Sequence, residues 1–152
     1  MAMSGYAIAN PTYLRLFTHM TIQTHYQRLG GEAKVRLLVT RFYDHMDELP
    51  ETYGIRKLHA EDLSGARRKL LDFLTGWMGG PRLYVEKHGD PMLRRRHLHF
   101  PIGDLERDQW MHCMQLALDE VVEDAKLRAE LVQAFAKVAD HMRNQTQHPH
   151  PH

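Results

Sequence analysis

Apolar residues recur every three or four positions through most of this chain, and that spacing predicts helices. Between Glu32 and Met46, the residues Val35, Leu38, Val39, Phe42 and Met46 fall on one face, with Tyr43 beside it one turn beyond Val39. A second stripe of Ala66, Leu70, Phe73, Leu74 and Trp77 follows Ser64, a residue suited to capping a helix, and stops at Gly79-Gly80-Pro81. Asp90-Pro91 reads as a cap followed by proline in the first turn of a short helix that Pro101 prevents from continuing. From Asp104 onward Trp110, Met114, Ala117 and Val121 share a face, and Leu131, Phe135, Val138 and Met142 mark the inner side of a last helix. No Asn-Gly or Asp-Gly turn separates alternating runs, so the class is all-α from about Thr21 to Asn144.

Composition narrows the function classes without choosing one. The 152 residues make one domain, and 43% hydrophobic with 26% charged residues is a globular balance. A formal charge of +1 gives no electrostatic case for a nucleic-acid partner. No apolar run approaches the ~18 residues needed to span a bilayer, and no signal-peptide pattern opens the chain, so no membrane partner and a cytoplasmic location are expected. One cysteine, Cys113, excludes an intramolecular disulfide and reads as a small buried hydrophobe. Tyr6, Ile8, Tyr13, Leu14, Leu16 and Phe17 predict that an extension over residues 1–20 packs in part on a domain spanning 21–144. The tail from Gln145 to His152, with His148, His150 and His152 between prolines, is expected to be disordered.

The distinctive chemistry gathers around His97. Its neighbourhood runs Asp90-Pro91-Met92-Leu93-Arg94-Arg95-Arg96-His97-Leu98-His99-Phe100-Pro101, with Ile102 next and Trp110 thirteen residues after the histidine. An imidazole ending a short basic helix, next to a helix carrying an indole, suits a haem iron ligand. Taken singly, a histidine among twelve is ordinarily a surface or satisfied core residue, Trp110 and Tyr43 are ordinarily core aromatics, and Arg94 and Arg95 read as a solvated turn. Further motifs alter that balance. Leu29-Gly30-Gly31, Phe42-Tyr43, Asp62-Leu63-Ser64-Gly65-Ala66, Gly79-Gly80-Pro81 with Tyr84 and Gly89, and Glu106-Arg107-Asp108 before Trp110 stand in order from about Thr24 to Asn144. The series resembles the group II truncated haemoglobins.

That resemblance implies an all-α truncated globin fold, a two-over-two helical sandwich around haem b, here with an N-terminal extension. It makes His97 the proximal iron ligand and places Tyr43, His59, Ala66, Leu70 and Trp110 around the distal ligand pocket. Phe73, Leu74, Tyr84, Phe100, Ile102 and Met114 would contact the haem, and Lys69 and Arg96 are the candidates for its propionates. His99, two residues beyond His97, would point to another side. Ala66 stands where many globins carry a polar group, so hydrogen bonding falls to the other helices. The sequence departs from the common pattern at His59, where tyrosine or phenylalanine is frequent. A histidine there titrates near neutrality and can in principle reach the iron, although the short Ala60-Glu61-Asp62-Leu63 link favours a ring held short of it.

The function implied is binding of oxygen, carbon monoxide and nitric oxide at a five-coordinate iron. A haem enzyme would use the same pocket for peroxide or for nitric oxide and oxygen redox chemistry, with an unidentified reductase. A haem-free helical interaction module is the reading of a different class. Monomer and homodimer are both compatible with the sequence.

Overall fold

The computed structural model describes residues 23–145. The expected packing of residues 1–20 lies outside the described residues, as does the expected disorder of the Gln145–His152 tail beyond its first residue; Gln145 itself donates its backbone N–H to the Ile102 carbonyl at 3.1 Å. Among the described residues eight α-helices and one short 3-10 turn follow in order: α1 (His25–Leu29), α2 (Glu32–Glu48), the turn Pro50–Thr52, α3 (Tyr53–Arg56), α4 (Ser64–Trp77), α5 (Leu83–His88), α6 (Leu93–Arg96), α7 (Asp104–Val121) and α8 (Ala125–His141). No strand occurs among the described residues. Nor is any helix there long and apolar enough to cross a membrane.

The predicted stripes become the core. α2 packs most broadly on α7, α4 lies against α2, and α8 lies against α7, so two helix pairs meet at the α2–α7 contact. Val35, Leu38, Phe42, Met114, Leu118 and Leu131 are buried there together with Phe135. Val138 and Met142 are only half-buried, because α8 ends at His141 and its inner face passes through Ala139.

Two helix starts differ from expectation. Ser64 is the first residue of α4 and caps nothing; Asp62 accepts its backbone N–H at 2.9 Å, so the turn is fixed one step earlier. The helix expected at Asp90-Pro91 begins at Leu93. Met92 precedes it with φ 40°, a left-handed conformation that costs a non-glycine residue strain and reorients the chain just before His97.

The second Gly-Gly motif has a packing cause. A Cβ at Gly79 would lie 2.6 Å from the Thr24 Cβ, and one at Gly80 would lie 2.7 Å from the Tyr26 ring. Only glycine lets α1 seat against the end of α4, where Tyr26 donates its N–H to the Met78 carbonyl at 2.9 Å.

Candidate functional site

His97 follows the single turn of α6, and that turn fixes its ring chemistry. Its Nδ1 lies 2.7 Å from the Leu93 carbonyl oxygen. A carbonyl only accepts, so Nδ1 carries the proton and Nε2 keeps its lone pair, the tautomer an imidazole needs to ligate a metal. The segment beyond His97 is latched from the far end of the fold. Asn144 donates through Nδ2 to the Phe100 carbonyl at 2.8 Å and to the His97 carbonyl at 3.3 Å, while its Oδ1 accepts the Ile102 N–H at 3.0 Å. The Phe100 ring stands 6.1 Å from that of His97, and Ile102 is buried. His99 is exposed with its ring 4.0 Å from Phe100, and Arg94 and Arg95 are exposed as expected.

A connected set of aromatic rings lies where α2 meets α7. Phe42, fully buried in α2, touches Tyr43 at 4.9 Å and Trp110 of α7 at 5.1 Å between ring centroids, and Trp110 in turn lies 5.9 Å from Phe135. The Tyr43 hydroxyl points to the Ala66 carbonyl at 3.5 Å, too long for a strong O–H···O bond. Burial pushes the Tyr43 phenol far above its usual range, so its proton stays in place as a donor; the Arg67 guanidinium, 5.6 Å over the ring, pulls weakly the other way. Arg67 is itself held by Asp44 at 3.1 Å.

His59 stands edge-on to Tyr43, 5.8 Å away, with Nδ1 3.0 Å from the Ile55 carbonyl. By the same tautomer argument the neutral ring presents an Nε2 lone pair and acts as an acceptor. Titration near neutrality, expected from sequence, is displaced: burial pushes the His59 pKa below the ordinary histidine value, the Ile55 bond opposes that, and the Arg56 charge adds to the lowering. Above the unfolded pKa of about 6.5 both states are neutral. As pH falls below it the unfolded chain takes up the proton first, so stability declines until the lower folded pKa is passed. Urea unfolding between pH 7 and 5 is therefore expected to be less pH-dependent in His59→Phe than in the parent. Equal slopes would exclude a neutral, buried His59.

Ala66, Leu70 and Phe73 line the half-buried side of α4, with Leu74 buried behind them and Met114 fully buried in α7. A cavity of about 200 Å³ opens between the end of α4 and α5, lined by Phe73, Gly76, Trp77, Arg82, Tyr84, Val85 and Pro91. Phe73 meets Tyr84 edge-on at 6.1 Å. Lys69 is exposed on α4. Arg96 is already engaged: it donates to the Tyr84 hydroxyl at 3.3 Å and to the His88 and Asp90 carbonyls at 3.0 Å each, bracing the loop before α6. Cys113 is buried, and burial raises its thiol to about 11, consistent with an inert hydrophobe. Asn144, Gln109 and Arg56, none of them expected from sequence, turn out to hold the backbone around both histidines. Their partners are mostly main-chain groups, which leave no residue-type signal in the sequence.

An imidazole whose Nε2 keeps its lone pair could hold a metal already carried in a macrocycle, and the buried rings of α2 and α7 could give such a group an apolar surrounding. Residues 24–144 match the bacterial-like globin family. The Group 2 truncated hemoglobin YjbI of Bacillus subtilis is 40% identical over 117 residues, covering 77% of this chain and 86% of that protein. Among solved structures, the group II 2-on-2 hemoglobin of Agrobacterium tumefaciens superposes with a TM-score of 0.80 at 51% identity, over 82% of this chain and 97% of that one. The cold-adapted truncated hemoglobin of Pseudoalteromonas haloplanktis gives a TM-score of 0.80 at 45% identity, over 81% and 99%. Sequence motifs, helix arrangement and these likenesses agree: the chain belongs to the bacterial-like globins and is a group II truncated haemoglobin.

Proposed function

We propose that this protein binds haem b through His97 and uses it to bind oxygen and other small diatomic gases. One observation carries the reading: the Nδ1 contact to Leu93 leaves Nε2 of His97 as a lone-pair donor, on a segment latched in place by Asn144. Haem supplies an iron that takes a gas on one side when an imidazole holds the other. The protein supplies the surroundings. Tyr43 offers an O–H and Trp110 an indole N–H that can only donate, so both stabilise partial negative charge on a ligand in the distal space. Neutral His59 accepts, and it becomes a donor only after protonation. Ala66 and Leu70 contribute size and apolarity, while Lys69 is the freer of the two propionate candidates because Arg96 has three other partners.

One relative, from Bacillus subtilis, is described as an oxygen-avid truncated haemoglobin and is 38% identical over 80% of this chain. The deciding experiment is an absorption spectrum of the purified protein in ferric, ferrous and carbonmonoxy forms. A protein that stays colourless when haem is offered would return the chain to a haem-free helical module.

Trp110→Phe keeps an aromatic ring beside Phe42 and removes the indole N–H together with the five-membered ring that carries it. Loss of one net hydrogen bond of ~0.5–1.5 kcal/mol corresponds to oxygen dissociation roughly two- to tenfold faster, with association little changed. Stopped-flow dissociation checks this, and a rate equal to the parent removes Trp110 from the distal set.

A further inference from the structure

We propose that Arg56 is a positioning residue that fastens the loop after α3 and so keeps His59 from becoming the second axial ligand of the iron. The inference rests on the haem reading above. His59 has the same competence to ligate as His97: in each ring Nδ1 is spent on the carbonyl four residues earlier, and in each Nε2 is left with its lone pair. What separates their roles is the mounting. A histidine on a loose loop of seven residues, 57–63, would be free to swing; this loop is tied on both sides of His59.

After the histidine, Arg56 spends its whole fork on the restraint. Nη1 donates to the Ala60 carbonyl at 3.0 Å and Nη2 to the Glu61 carbonyl at 2.9 Å, while Nε pairs with Asp47 of α2 at 2.9 Å. The two residues following His59 are thereby fixed to a core helix. The Arg56 side chain is only 19% exposed, so these contacts are partly shielded from water. Before the histidine, Gln109 of α7 accepts the Ile55 N–H at 2.8 Å, and the Ile55 carbonyl is the acceptor for His59 Nδ1. Gly54 sits so close that a Cβ there would lie 2.7 Å from the Gln109 amide. Lysine could not replace Arg56, since an ammonium is a point charge and cannot reach three acceptors in this planar arrangement.

The test compares ferric absorption and electron paramagnetic resonance spectra at pH 8, where His59 is neutral, for the parent, Arg56→Met, Arg56→Lys and Arg56→Met/His59→Phe. The parent is expected to be high-spin or water-bound. Arg56→Met is expected to shift to the low-spin spectrum of two axial imidazoles, Arg56→Lys to shift in the same direction, and the double variant to return to the parent state. Amide hydrogen exchange should show lost protection across residues 60–63 in Arg56→Met while α7 and α8 stay protected. Should Arg56→Met fail to fold, Asp47→Ala removes only the exposed end of the tie and carries the same expectation at smaller amplitude. A haem-loaded Arg56→Met that keeps the parent's spectrum and exchange pattern overturns the role given to Arg56 while leaving gas binding intact. A low-spin parent overturns it as well. Failure of the parent to take up haem overturns the proposed function and this inference together.

Discussion

Replacing His97 with glycine is expected to give a folded protein that holds haem only when free imidazole is supplied. Folding survives because the ring is half-buried and its side-chain bond runs to the carbonyl of its own short helix, so no core contact is lost. Haem binding does not survive, because neither nearby imidazole substitutes for it. His99 is exposed against Phe100, and the His59 ring is tied to the Ile55 carbonyl. Imidazole diffusing into the space left by the side chain restores an axial nitrogen without restoring the covalent link to α6. Spectra of the ferrous and carbonmonoxy forms, with and without imidazole, decide the matter. Spectra unchanged from the parent would remove His97 from the iron.

The second large effect is expected at Phe42. Its ring is fully buried and touches both Tyr43 and Trp110, so it joins the core of α2 and α7 to the two side chains proposed as distal donors. Truncation to alanine leaves a cavity that close-packed neighbours fill only in part, at a cost of ~3–5 kcal/mol. A domain stable by only ~5–15 kcal/mol loses much of its margin. Urea denaturation measures the loss directly. Phe42→Leu, which keeps most of the volume, is expected to cost less than half as much and to leave haem binding intact. If the alanine variant unfolds at the parent's urea midpoint, Phe42 does not hold the helix pairs together. The same truncation removes the wall behind Trp110, so faster ligand loss should accompany it, and the leucine variant separates that effect from global instability.

The long helices were legible because their stripes obey one period over many residues: α2 buries every residue its spacing predicts, whereas the stripes of α4, α7 and α8 face the core with part of their residues, Phe73, Trp110 and Val138 among them, only half-buried. The family was legible because its motifs are separated yet ordered. What stayed hidden has a common physical form. The left-handed Met92 at the start of α6 is imposed by its surroundings and has no local glycine or asparagine to announce it. Ser64 and Asp62 are both capable caps, and only the folded turn selects between them. Arg56 and Asn144 act on carbonyl oxygens, which every residue has, so no pattern of side chains points to their targets. The tautomers of His59 and His97 depend on carbonyls four residues back and become visible only once the backbone path is known.

The Asn144 latch also has a consequence in time. The segment it fastens, ending at Ile102, is synthesised 42 residues before the asparagine that holds it. At about 5–20 residues per second, translation of the 47 residues from His97 to Asn144 leaves roughly 2–9 seconds in which the histidine has been made and its anchor has not. During that interval the His97 segment is unfastened, and if His97 holds the iron as proposed, haem capture at the finished geometry would wait until Asn144, beyond the last helix, has been made.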